Sequence, residues 1–314
     1  MKVLYLDTGF DSSSEYFRVQ REKVEGCVNQ CLYKNQNKSI LSKIIMALGI
    51  YAFSPLLYFV YGDWKKQLDQ YDMFIVVSRK AAKYAVKYIK QKTGKRVVVW
   101  YWNMVTDKEL SPDYCKSVGC EPWSFDRNDC QKYNMNFGDT YYFPPEESES
   151  SEKIDSSIFY VGINRPGRKE LLTRLGDYLK ENGLKYRFNL TAIPTESAAV
   201  KAQYSPRMKY EEIIEAIHKS AAVLDLNREN QSGMTLRPME ALFFKRKLVT
   251  NNESITRYCI YDKENTFILK DDGFDGLVRF LTEPYIDNEV NENKRKTYSF
   301  AEWLQRIEAN QEAI

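Results

Sequence analysis

Asn227–Asn252 reads NRENQSGMTLRPMEALFFKRKLVTNN and follows a short apolar run, Ala221–Leu226 (AAVLDL). The apolar run has the continuous pattern of a buried parallel strand. A polar loop follows, then Ser232-Gly233, a helix over Pro238–Phe244 and a second strand over Lys247–Thr250. This is a β-loop-α-β unit. Gly233 allows close backbone approach, and the amides of Gly233, Met234 and Thr235 are placed to face an anion above the helix N-terminus. Pro238 suits the first turn, where its missing N–H costs little. Glu240 lies one to two turns in, where a carboxylate can accept from two adjacent ribose hydroxyls. The same pattern also fits an ordinary βα unit with a surface glutamate. Arg228 and Arg237 flank the loop, either as phosphate contacts or as partners of local carboxylates.

Outward from this unit the pattern repeats. Toward the C-terminus come a short helix over Glu253–Cys259, a strand over Thr266–Leu269, and helices over Phe274–Leu281 and Phe300–Ala309. Toward the N-terminus, Ser157–Val161, Lys185–Leu190, Asp72–Ser78, Arg96–Trp102 and Lys2–Asp7 read as strands. Lys169–Asn182, Tyr210–Lys219 and Lys80–Lys92 read as helices, and Pro122–Phe125 and Tyr141–Phe143 as shorter strands. Strands alternating with helices predict parallel sheets. Pro144–Ser157, PPEESESSEKIDSS, is acidic, Ser-rich and apolar-poor and reads as a linker. The expected layout is α/β: a first domain over 1–146, a linker over 147–156 and a second domain over 157–314. The two Rossmann-like domains should face each other across a cleft, with the last helix packing back on the first.

The central stretch resembles the nucleotide-sugar signature of GT-B glycosyltransferases, in which two glutamates eight residues apart precede Ala-Leu or Ala-Met, a short turn and a Val/Ile-rich strand. Here Ser232-Gly233, Glu240-Ala241-Leu242, Lys245-Arg246-Lys247 and Leu248-Val249-Thr250 stand at that spacing, with Ser232 where the family has its first glutamate. The form is most similar to bacterial lipopolysaccharide and capsular polysaccharide transferases. The resemblance implies a UDP-linked sugar donor, a glycan or lipid-linked acceptor, Glu240 as the ribose contact and Ser232, Gly233, Met234 and Thr235 at the donor. It also suggests a catalytic base just after the first strand, at Asp11, with Asp7 and Glu15 behind it. An epimerase or phosphotransferase on the same frame, and a non-catalytic assembly subunit, are the rival readings.

Phe159–Lys169, FYVGINRPGRK, is a second loop candidate. Gly162 and Gly167 have P-loop spacing, but Arg168-Lys169-Glu170 replaces Lys-Ser/Thr, so a Walker A loop that places Mg²⁺ is not supported. Arg165 and Arg168 beside a helix start suit a diphosphate. In the first half, Trp100, Trp102 and Asn103 end a strand and suit a sugar acceptor. Asp126, in Trp123-Ser124-Phe125-Asp126, is a further acceptor candidate.

Composition narrows the chemistry. The 314 residues carry 46 Lys plus Arg against 43 Asp plus Glu, a net charge of +3, which does not mark a nucleic-acid binder. The single histidine, His218, lies in a helix remote from every loop above and reads as scaffold. The six cysteines fit no zinc spacing and read as free thiols of a reducing cytoplasm. No Asp-x-Asp pair ends a strand: Asp225-Leu226-Asn227 lacks the second carboxylate, and Asp271-Asp272 falls in a turn. Neither a metal nor a cofactor is expected, so phosphate charge falls to arginines and helix dipoles. Ile44–Tyr61, IIMALGIYAFSPLLYFVY, is uncharged and flanked by lysines. It reads either as a buried helix pair broken at Ser54-Pro55 or as a surface resting on the inner face of a membrane. Pro55 and Gly49 argue against a span.

Overall fold

The computed structural model describes residues 1–8, 14–34, 40–145, 154–227, 233–270 and 273–311. The chain divides into two compact units, Met1–Asp139 with Leu304–Ala313, and Thr140–Trp303.

The first unit runs β1 (Val3–Asp7), α1 (Ser14–Glu22), β2 (Cys27–Cys31), α2 (Ile40–Tyr51), β3 (Met73–Val77), α3 (Lys83–Thr93), β4 (Arg96–Tyr101), α4 (Pro112–Ser117), β5 (Glu121–Ser124), α5 (Arg127–Tyr133) and β6 (Asn136–Phe137). The strands form one parallel sheet in the order β2-β1-β3-β4-β5-β6. The runs VLYLD, MFIVV and VVVWY are buried on both faces, as helix-covered parallel strands require. Three 3₁₀ turns follow α2, the first over Ser54–Phe59 with Pro55 in its opening turn. Among the described residues no helix is long and apolar enough to cross a membrane.

The second unit runs β7 (Ser156–Ile163), α6 (Arg168–Glu181), β8 (Tyr186–Thr191), α7 (Ala198–Lys201), α8 (Tyr210–His218), β9 (Ser220–Asp225), α9 (Leu236–Phe243), β10 (Lys247–Thr250), β11 (Thr266–Ile268), α10 (Leu277–Thr282), α11 (Glu289–Thr297) and the start of α12 (Phe300–Glu308), which passes into the first unit at Leu304. Its parallel sheet has the order β11-β10-β9-β7-β8. Successive strands build outward on opposite sides of the β7/β9 pair, so the strand order reverses there. Ligands of open α/β sheets sit at such a switch point, beyond the carboxyl ends of the strands.

Two boundaries differ from the sequence expectation. The first unit ends at Asp139 rather than at 146, because Tyr142 belongs to the second unit. Its backbone bonds Tyr298 and Phe300, and its ring packs on Phe243 and Phe244. Of the expected linker, residues 147–153 lie outside the described residues, and Ser156 already opens β7. The chain end from Leu304 groups with the first unit, where Arg96 donates to the carbonyls of Ile307 and Glu308 and to Asn310.

The six cysteines are free thiols. Burial pushes Cys27 and Cys120 up to about 12 and Cys115 to about 11. His218 is buried at the end of α8, with its ring against Phe244.

Candidate functional site

The best-built site lies at the carboxyl ends of β7, β9 and β10. β7 leaves the sheet at Gly162-Ile163, and Asn164-Arg165-Pro166-Gly167 turns the chain into α6. Gly167 holds φ at 73°, a left-handed conformation that glycine adopts without strain. Gly162 is needed for a different reason: a Cβ there would overlap the hydroxyl of Tyr160, two residues back on the same face. The Arg168 side chain folds back from the first turn of α6. It donates to the carbonyl of Ile163 at 2.7 Å and to that of Leu226. One guanidinium thus straddles the ends of β7 and β9. Arg165, on the same turn, is half-buried and has no side-chain partner among the described residues.

β9 ends at Asp225, which joins three elements. Its Oδ1 accepts from the Thr235 hydroxyl at 2.8 Å and its Oδ2 from the Thr250 hydroxyl at 3.1 Å. Thr235 is the N-cap of α9 and accepts from the Arg237 amide at 3.1 Å. A buried carboxylate therefore pins the start of α9 to the ends of β9 and β10. Burial pushes the Asp225 carboxyl above the ordinary carboxylate range, and the two hydroxyls act against that.

Around this frame stand buried polar atoms without partners. They are the Tyr160 hydroxyl, the Asn164 side-chain oxygen, both amide atoms of Asn227 and the Asn252 side-chain nitrogen. Buried polar atoms are normally satisfied, and a cluster that is not calls for a ligand or bound water. Asn164, Asn227 and Asn252 sit just beyond the ends of β7, β9 and β10, and Tyr160 lies within β7.

Glu240 is placed differently from its expected role. It has 0% exposure, and both carboxylate oxygens are held by protein groups. Oε2 pairs with Arg237, three residues earlier on α9, and Oε1 accepts from the Tyr210 hydroxyl at 2.8 Å. Tyr210 in turn lies 2.7 Å from the Tyr142 hydroxyl. Ribose contact would require one of these partners to leave. Of the two readings open for Arg237, the carboxylate pair is the one formed. Ser232 and Arg228 lie outside the described residues, while Gly233 and Met234 are buried just before the Thr235 cap.

The first unit answers several expectations with scaffold roles. Asp11 lies outside the described residues. Asp7 is buried, accepts from the Asn29 amide at 2.8 Å and lies 3.5 Å from Arg21, so it ties β1 to β2 and α1. Glu15 is exposed on α1, 3.9 Å from Arg18. Trp100 is fully buried in the sheet, where a Cβ on Gly138 would come within 2.8 Å of its ring; it is core rather than an acceptor surface. Trp102 is half-buried against Phe17 at 5.8 Å. Asn103 is exposed, and with its amide oxygen turned toward Arg79 it accepts at 3.2 and 3.1 Å. Asp126 is 1% exposed and caps α5, accepting from the Asp129 amide at 3.1 Å, so it does not line an open surface. The sequence reading missed Asn227, Asn164 and Tyr160. Asn227 could have been found as the polar residue two positions beyond a buried strand end.

No protein-family model and no curated protein matches the sequence. Solved structures do match over nearly the whole chain. The T4 phage β-glucosyltransferase aligns at 14% identity over 98% of this chain and 99% of its own, with a TM-score of 0.56. The Neisseria meningitidis UDP-GlcNAc 2-epimerase bound to UDP-GlcNAc aligns at 8% identity over 99% of each chain, with a TM-score of 0.52. The S. aureus MnaA–UDP structure aligns at 10% identity over 98% of this chain and 95% of its own, also at 0.52. With its parallel sheets of six and five strands among the described residues, the chain has the GT-B fold.

Proposed function

We propose that the chain is a glycosyltransferase of bacterial surface-polysaccharide synthesis. It binds a UDP-linked sugar on the second unit and transfers the sugar to a glycan or lipid-linked acceptor held by the first. The observation that carries the donor site is the set of unpartnered polar atoms around Arg165 and Arg168 at the β7/β9 switch point. A guanidinium carries five donors, so Arg168 can keep both carbonyl contacts and still reach a phosphate oxygen. Arg165 is free to give a second contact. As the bond to the sugar breaks, negative charge grows on the diphosphate. The fixed Arg168 guanidinium, joined by Arg165, stabilises that charge more than it stabilises the ground state. Asn164 and Asn227 supply acceptor and donor atoms for hydroxyl groups. This chemistry runs without a metal. Two of the neighbours are seen with UDP or a UDP-sugar and the third is a glucosyltransferase, in keeping with this reading.

The second reading is a UDP-sugar epimerase, favoured by the whole-length likeness to a UDP-GlcNAc 2-epimerase. Product analysis separates the two. The full chain is incubated with UDP-sugars, with and without a glycan acceptor, and UDP and sugar epimers are quantified. The transferase reading predicts UDP release that depends on acceptor. Epimer formation without acceptor replaces it with the second reading, and no consumption under any condition sinks both.

A further inference from the structure

The helix α2, ILSKIIMALGIY, is apolar nearly all round, yet only one side of it is covered. Its inner stripe, Ile45, Met46, Gly49 and Ile50, faces the first unit's core. Gly49 lets the following 3₁₀ turn close in: a Cβ there would meet Leu57 at 2.7 Å. The opposite face is open. Ile40 is 78% exposed, Leu41 66% and Tyr51 80%, with Ile44 and Leu48 between them and Phe53 just beyond. Soluble chains seldom leave so many large apolar side chains contiguous and bare. Burying them on one partner is what such a face is suited to do.

Charge identifies that partner. From Gly26 to Gly62 the chain has no Asp or Glu. Lys43 is exposed on α2 itself, Lys34 is exposed ahead of it in the chain, and Lys65 lies over the Tyr58 ring at 3.9 Å, with exposed Asp63 paired to Lys66. An apolar face edged by lysines and aromatic rings matches an anionic lipid surface: the side chains enter the acyl boundary, while the lysines stay at the headgroups. The twelve residues of α2 rise about 18 Å, well short of the ~30 Å hydrocarbon layer, so the helix lies along the surface and does not cross it. A second copy of this chain fits less well, because a two-fold interface would set the same lysine-edged surfaces against each other.

We propose that the outer face of α2 and the aromatic turn after it dock the first unit onto an anionic phospholipid bilayer. The inference stands independently of the nucleotide-sugar reading. Its test is co-sedimentation of the full chain with vesicles of phosphatidylcholine alone and of phosphatidylcholine mixed with phosphatidylglycerol. Two variants are carried through: Ile40→Ser/Leu41→Ser/Tyr51→Ser, all at exposed positions, and Lys34→Glu/Lys43→Glu. Circular dichroism checks that both fold. The wild type should pellet with the anionic vesicles and less so in high salt. The serine variant should partition at least about 10-fold more weakly, and the glutamate variant should lose its preference for anionic lipid. Equal pelleting of wild type and serine variant would overturn the proposal, as would no pelleting with any vesicle. A concentration-dependent dimer in light scattering that the serine variant abolishes would assign the face to a second copy and overturn it too.

Discussion

Replacing Glu240 with alanine should lower the melting temperature of the second unit's transition by roughly 10 °C. The carboxylate is fully buried between Arg237 and Tyr210, and Tyr210 is bonded onward to Tyr142. Truncation leaves a guanidinium at the start of α9 without its counter-charge and a buried hydroxyl without its acceptor. Breaking such a pair costs about 3–5 kcal/mol, and a unit of this size loses about 2–4 °C per kcal/mol. Glu240→Gln keeps the volume and an acceptor for Tyr210, so its loss should be less than half as large. A shift below about 2 °C for the alanine variant would show that the network does not support the fold.

The glutamine variant carries two further consequences. Burial holds the Glu240 carboxyl above its usual range despite Arg237 and Tyr210. A raised folded-state pKa means that the group's contribution is greatest below the unfolded value and declines as pH rises through the folded one. The stability gap should therefore move in favour of glutamine as pH rises above the ordinary carboxylate range. Because no surface of Glu240 is exposed, its UDP affinity should stay within about 2-fold of wild type. A larger fall would restore the ribose contact implied by the family resemblance.

The second large effect falls on Arg165 and Arg168. Alanine at Arg165 should weaken UDP about 10-fold and alanine at both about 100-fold, while uridine binding stays unchanged. Each charge-assisted contact to a phosphate oxygen is worth about 1.5–3 kcal/mol, and uridine offers no phosphate to lose. The single Arg165 variant isolates the ligand effect, because only Arg168 also holds the Ile163 and Leu226 carbonyls. Equal losses for UDP and uridine would argue against diphosphate contact.

The elements legible in the sequence were those whose burial leaves a periodic trace. Apolar runs such as MFIVV and VVVWY are readable because both faces of a parallel strand are covered. β2, Cys27–Cys31, was not legible: it is an edge strand with the polar sequence CVNQC. Helix α5, RNDCQKY, carries too little apolar pattern to register. At the site, the two loops around Arg168 and Thr235 were readable from their glycines and helix starts, and the topology brings both to one end of the sheet. The sequence could not say which face of a strand end is open. Trp100 and Asp126 sit at positions that could line a surface, yet they are core and cap. Nor could it show that Tyr210, far away in the chain, bonds Glu240 and is itself bonded to Tyr142. The Arg237–Glu240 spacing was the one local sign of that network.

Hydrogen–deuterium exchange of the full chain, with and without saturating UDP, locates the donor site without any substitution. The account predicts slower exchange in peptides covering Gly162–Arg168, Leu226–Asn227 and Gly233–Arg237, where the strand ends and helix starts meet. Exchange unchanged in all three segments, or slowed only within the first unit, would contradict it.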